Sequence, residues 1–142
     1  MIVMFGDHHP NLQDGFYDMI AGQYSVQDDK TYKKERTMTP YVVWTNYENT
    51  MEHIPIMGSE FFGSYLLQGT GLDLTDYNKC ILEMLRSVRV ITENEVMDAD
   101  GKWYPIDQLP KQYAEILNNY EILQYNNVFG RGQRLDELFR IE

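Results

Sequence analysis

Asp7, His8 and His9 stand in a row behind the apolar run Ile2–Phe5, set off from it by Gly6 and closed by Pro10. A carboxylate beside an imidazole is a donor pair that suits a borderline divalent cation such as zinc or manganese. On a strand, neighbouring side chains diverge to opposite faces; on a loop both can turn toward one ion. Gly6 is placed to relax the backbone into such a loop. The spot just past a strand's carboxyl end is where ligand sites gather in open α/β folds. The same spacing also fits a plain turn in which Asp7 caps the chain, so both readings stand at this point. The remaining histidine, His53, lies in a loop without partner spacing and reads as a surface residue.

Other chemistries fit less well. Asp98, Asp100 and Gly101 resemble the start of a calcium loop, but that loop needs its Gly at the sixth position and a Glu at the twelfth. Here the glycine comes fourth, so a hairpin turn is the better reading. The chain has no Gly-rich phosphate loop, no G-x-S-x-G elbow and no H-E-x-x-H motif. Its one cysteine, Cys80, cannot form an internal disulfide. Within an apolar helical pattern it reads as a small core residue and not a nucleophile. The tyrosines and methionines fall at packing intervals.

The elements that would position Asp7 and His8 follow from periodicity. Ile2–Phe5 reads as a short buried strand, and residues 41–45 (YVVWT) as a second one introduced by Pro40. Between them, residues 12–20 carry a short helical pattern, and the charged run 28–36 reads as an exposed loop. A helix is expected over residues 59–69 with Ser59 as N-cap, and a second over 76–87 capped by Thr75 or Asp76. In that second helix Tyr77, Ile81, Met84 and Leu85 keep the 3.6-residue period. Residues 88–92, 95–98 and, after a turn, 102–106 read as strands. VMDADGKWY reads as a hairpin turned at Asp100-Gly101, where both residues would supply positive φ angles. A last helix fits residues 110–128, with Pro110 in its first turn, Gly130 past its end, and Ile116, Leu117, Tyr120, Leu123 and Val128 along its apolar side. A charged tail, residues 131–142, has a short helical pattern around 135–139.

The 142 residues have the length of one ordinary domain, and a hydrophobic share of 43% is enough for a core. A net charge of −10 argues against nucleic acid as a partner, since no basic patch could neutralise phosphates. It argues equally against docking on anionic lipid. No apolar run is long enough to span a bilayer and no signal peptide is visible, so the chain by itself is expected to be soluble. Two apolar strands separated by helical segments suggest part of an α/β sheet with parallel strands. Two such strands alone would leave poorly protected edges.

A wider pattern makes the first motif specific. FGDHHP at 5–10 and TPYVVWTNYEN at 39–49 are followed by FFGSYLLQGTGL at 61–72, VMDADGKWY at 96–104 and NNYEILQYNNVFG at 118–130. In this order the blocks resemble the end of the catalytic domain of the lipoteichoic acid synthase family, phosphoglycerol transferases with a sulfatase-like domain of the alkaline phosphatase superfamily. The resemblance covers residues 1–130 and leaves 131–142 as a charged C-terminal tail. It implies the C-terminal portion of an α/β/α sandwich around a mixed sheet, with a small antiparallel hairpin and a C-terminal helix. It implies that Asp7 and His8 match the D-H pair that ligates a divalent metal, manganese or magnesium. It also implies transfer or hydrolysis at a phosphoglycerol or related phosphate or sulfate ester, through an intermediate on a threonine. His9 stands where the family varies, and no ligand role is carried to it.

In that family the nucleophilic threonine, the glutamate ligand, the substrate-binding histidine and arginine, and several membrane helices lie upstream of the D-H motif. The chain is therefore expected to be the C-terminal piece of an enzyme working on the extracellular face of the cell membrane. Its partner would be the upstream part of the same catalytic domain, and alone it would be inactive. Competing readings are a non-catalytic binding or structural module that keeps the fold, and a small hydrolase assembled from two copies. A half sheet exposes Ile2–Phe5 or residues 41–45 as an apolar edge, so self-association is expected. Sizing experiments should show dimers or larger species; a clean monomer at high concentration would count against this.

Overall fold

The structure is a computed structural model that describes residues 1–10, 12, 15, 16, 19, 34, 37–49 and 51–141. The expected helix over 12–20 and loop over 28–36 fall mostly outside the described residues. The chain divides into two compact units, Met1–Glu48 and Asn49–Glu142. Among the described residues it is a mixed α/β protein with three α-helices and two small antiparallel sheets. No described helix is long and apolar enough to cross a membrane.

In the first unit, β1 (Ile2–Phe5) pairs with β2 (Tyr41–Trp44). The pairing is antiparallel, with Ile2 opposite Trp44 and Met4 opposite Val42, where the sequence suggested parallel neighbours. An uninterrupted apolar run marks a strand but carries no information on direction, and this is why the pattern misled. The expectation of burial is corrected too. Ile2, Met4, Val42 and Trp44 share one face, because side chains alternate along each strand, and all four are between 53% and 64% exposed. The apolar run specifies what the strands could bury, and not what covers them.

In the second unit, α1 (Ser59–Gln68) and α2 (Asp76–Leu85) precede a three-stranded meander. Its strands are β3 (Val88–Ile91), β4 (Glu95–Asp98) and β5 (Trp103–Pro105), in the order β3-β4-β5. A 3₁₀ turn (Ile106–Gln108) leads into the long helix α3 (Lys111–Phe129). Phe61 of α1, Ile81 of α2, Val88 of β3 and Val96 of β4 are almost fully enclosed and form the centre of the core. The expected N-cap of α2 is Thr75, whose Oγ1 accepts the Asn78 N–H at 3.2 Å. Asn78 then donates from Nδ2 to Ser64 Oγ at 3.0 Å, which satisfies a buried hydroxyl and joins α2 to α1.

Four local expectations are corrected. The N-cap of α1 is Gly58, one residue before Ser59, and no side chain caps it. Cys80 is exposed; the buried line of α2 runs through Ile81 and Leu85, and Cys80 falls about 100° away from Ile81 around the helix. At the hairpin only Gly101 has positive φ (82°), and Asp100 does not. The connection spans residues 99–101, with Gly101 N–H donating to the Asp98 carbonyl at 3.1 Å, a turn closed by a left-handed glycine. On α3, Ile116, Leu117, Tyr120 and Leu123 are half-buried as an apolar side should be, but Val128 is 63% exposed.

The charged tail is anchored by contacts the sequence did not suggest. Its short helical pattern is a 3₁₀ turn, Asp136–Phe139. The Phe139 ring centroid lies 5.1 Å from that of Tyr77 on α2, and the Arg134 guanidinium carbon lies 4.0 Å from the Phe139 centroid. The Leu135 N–H donates to Asn126 Oδ1 on α3 at 3.1 Å. Because Phe61 is 0% exposed, Phe61→Ala should lower the unfolding free energy by about 3–5 kcal/mol. Denaturant unfolding followed by circular dichroism would measure this.

Candidate functional site

Asp7 and His8 sit where the sequence suggested, two and three residues past the end of β1. The backbone there is fixed by Gly6, whose N–H donates to the Pro40 carbonyl at 3.1 Å and whose carbonyl accepts the Thr39 hydroxyl at 2.7 Å. A Cβ on Gly6 would stand 2.9 Å from Thr39 Cβ. The glycine is thus required by close approach of a neighbouring side chain, and not by an unusual φ, as its backbone is not left-handed.

The carboxylate and imidazole do turn toward each other, with His8 Nε2 3.6 Å from Asp7 Oδ2 and both side chains largely open to solvent. Asp7 Oδ1 accepts the His8 N–H at 2.8 Å, a local bond that holds the carboxylate in place. His8 Nδ1 lies 2.9 Å from the His9 carbonyl oxygen. In the tautomer that donates this bond, Nε2 carries the lone pair a metal ligand needs, on the side that faces Asp7. The donors therefore fit two positions on a divalent cation. Among the described residues no third His, Cys, Asp or Glu joins them. His9 is turned elsewhere, its Nε2 2.6 Å from the Met38 carbonyl. His53 is exposed.

A heavily bonded carboxylate among the described residues was read from sequence only as a turn residue. Asp98, at the end of β4, is 3% exposed. Its Oδ1 accepts the backbone N–H groups of Asp100 (3.0 Å) and Lys102 (2.9 Å). Its Oδ2 accepts the hydroxyls of Tyr104 on β5 (3.0 Å) and Tyr113 on α3 (3.2 Å). Those four bonds use all the acceptor positions a carboxylate has, so Asp98 is a structural clamp and not a ligand in waiting. The sequence signal was an aspartate opening a glycine turn; nothing in the spacing announced the two tyrosines.

Burial pushes the Asp98 carboxyl up, but the bonds from Lys102, Tyr104, Asp100 and Tyr113 outweigh it and hold the carboxyl below its ordinary value of 3.8. Tyr104 is pushed above 10.0 by burial and by the Asp98 charge and hydrogen bond. Tyr113 is also raised: a hydrogen bond with Gln112 pulls it down, and burial together with Asp98 overcomes this. Tyr120 on α3 is pushed up to about 12 by burial, with electrostatic repulsion from Glu60 and Tyr77 adding to it.

Compared with protein-family models, with curated proteins and with solved structures, the chain matches none.

The sign of each shift sets the pH behaviour of the clamp. The Asp98 contribution is fully present above the ordinary carboxylate value and is lost as pH falls through its lowered folded value. The Tyr104 and Tyr113 contributions are present below 10.0 and are lost as pH rises through their raised values. Asp98→Asn leaves one oxygen for four donors and should lower stability by about 1–3 kcal/mol at neutral pH. It should also flatten the acid limb of a stability-against-pH curve. An unchanged acid limb would show that another carboxylate sets it.

Proposed function

We propose that this chain is the C-terminal part of a metal-dependent, sulfatase-like phosphoglycerol transferase or hydrolase acting on phosphate or sulfate esters, in which Asp7 and His8 supply two of the metal ligands. The observation that carries this reading is the paired carboxylate and imidazole on the loop after β1, 3.6 Å apart and open to solvent, within a motif followed by four further family-like blocks in order. In this reading β1 and β2 belong to a larger α/β/α sandwich, and their exposed apolar face is covered by the upstream part of the same catalytic domain. The full-length protein acts at the extracellular face of the cell membrane on a phosphoglycerol or similar anionic ester.

The bound ion, manganese or magnesium, would neutralise negative charge building on the ester oxygens. Asp7 and His8 of this chain would hold and orient it. Asp7 presents Oδ2 while Oδ1 is fixed by the His8 N–H, and His8 presents Nε2 while Nδ1 is held at the His9 carbonyl. Two ligands on one short loop give weak affinity, since about four are needed around a catalytic ion. The nucleophile and the other ligands come from the upstream part.

The purified chain should therefore bind manganese no more tightly than the micromolar range, and Asp7→Ala should abolish what binding calorimetry detects. It should turn over neither a phosphodiester nor a sulfate ester in manganese. Turnover by this chain alone that disappears in Asp7→Ala would overturn the division of labour proposed here.

A further inference from the structure

The chain leaves α3 through a turn that few side chains accept. Gly130 is right-handed, but Arg131 has φ 32° and Gly132 has φ 57°. Among the described residues Arg131 is the one residue other than glycine with positive φ. A left-handed backbone suits glycine and strains an arginine. Such a conformation persists only where surrounding contacts hold it. Arg131 is itself exposed, and the holding contacts come from residues 133–140 beyond it.

Those contacts form one line. Arg134 donates from Nη2 to Asn127 Oδ1 on α3 at 3.3 Å and sets its guanidinium over the Phe139 ring. That ring rests in turn against Tyr77 on α2. Beside this line the Leu135 N–H reaches Asn126 Oδ1. The segment thus bridges the end of α3 to the start of α2, with Arg134 at its entry and Phe139 at its exit. None of residues 131–140 is buried, so no enclosed apolar side chain fastens the bridge.

We propose that residues 133–140 form a clip, hinged at Arg131, which opens from α2 and α3 as one unit while the rest of the second unit stays folded. Opening bares the Tyr77 ring and releases the side chains of Asn126 and Asn127. Magnitudes favour a small gap between the two states. Each hydrogen bond or ring contact of this kind is worth roughly a factor of five in population. The strained hinge takes back a factor of about the same size. The closed clip is therefore held by the product of a few such factors, far short of the stability of the core. Once released, the 3₁₀ turn Asp136–Phe139 melts as well, since a single turn without packing does not persist. An end that merely frays loosens residue by residue from its tip. The clip differs because Arg134 couples Asn127 to Phe139, so that its two ends let go together. The inference is independent of the metal pair.

The test is amide hydrogen exchange by NMR at three positions. The Leu135 amide is bonded to Asn126, the Leu138 amide to the Leu135 carbonyl at 3.0 Å, and the Ala99 amide to the Ser87 carbonyl at 3.0 Å in the sheet region. In the unaltered chain Leu135 and Leu138 should share one opening equilibrium, with Ala99 far slower. Phe139→Ala should speed exchange at Leu135 roughly fivefold, although that amide is bonded to Asn126. Asn126→Ala should speed exchange at Leu138 by roughly the same factor. Arg131→Pro locks φ near about −65°, which the closed hinge cannot use. Both clip amides should then exchange fast while Ala99 stays slow. Unchanged exchange at Leu135 in Phe139→Ala, protected clip amides in Arg131→Pro, or Ala99 quickening together with the clip would each overturn the proposal.

Discussion

Asp98 is one carboxylate on which three elements converge. It terminates β4, receives the backbone N–H groups of Asp100 and Lys102 in the glycine turn, and binds the phenol of Tyr104 on β5 and that of Tyr113 on α3. A buried charge with no partners would cost several kcal/mol; with four donors it fixes geometry instead. The turn cannot slip in register without withdrawing N–H groups from Oδ1. The first turn of α3 cannot move away without stranding the Tyr113 hydroxyl. The rings of Tyr104 and Tyr113 also pack on each other, with centroids 5.3 Å apart, so the polar clamp and the apolar contact hold the same two elements together.

The sheet that this clamp closes is managed at both outer edges by small local means. One edge is short and ends in proline. The other is met by the start of α1, where the Gly58 N–H donates to the Arg89 carbonyl and the Glu60 carboxylate accepts the Ile91 N–H. Glu60 thus joins α1 to β3 by the same physics that Asp98 uses to join β5 and α3 to β4: an anion placed where backbone or phenol donors would otherwise be unsatisfied. The Ser64–Asn78–Thr75 chain does the equivalent between α1 and α2 with neutral groups. The second unit therefore rests on a modest apolar centre, Phe61, Ile81, Val88 and Val96, with polar bonds setting the angles between the elements around it.

The first unit presents the contrasting case. Its apolar strands show an uncovered face, and its chemistry-bearing residues lie in solvent at the end of β1. Two-stranded sheets are marginal in water without a covering layer. The Asp7–His8 pair is oriented by bonds within three consecutive residues, so its geometry comes from the loop itself. That makes the pair legible from sequence; as the proposed half of a metal site it would need further donors that a single loop cannot bring.

By itself, the sequence determined the features that depend on near neighbours. Periodicity located the three α-helices and five strands of the described residues to within a few residues, Thr75 or Asp76 was marked as the cap of α2, Gly101 marked the hairpin, and Asp7-His8 stood out as a carboxylate beside an imidazole. Each rests on interactions spanning a handful of residues, which is what pattern and propensity encode. Tertiary structure decided the rest. It set the antiparallel pairing of β1 with β2, because an apolar run reads the same in either direction. It set the exposure of Cys80, which a difference of 100° around a helix places in solvent. It also set the roles of Asp98 and Glu60, because their partners Tyr104, Tyr113 and Ile91 are reached through space: a carboxylate in a turn or at a helix start looks alike in sequence whether or not a distant donor arrives to meet it.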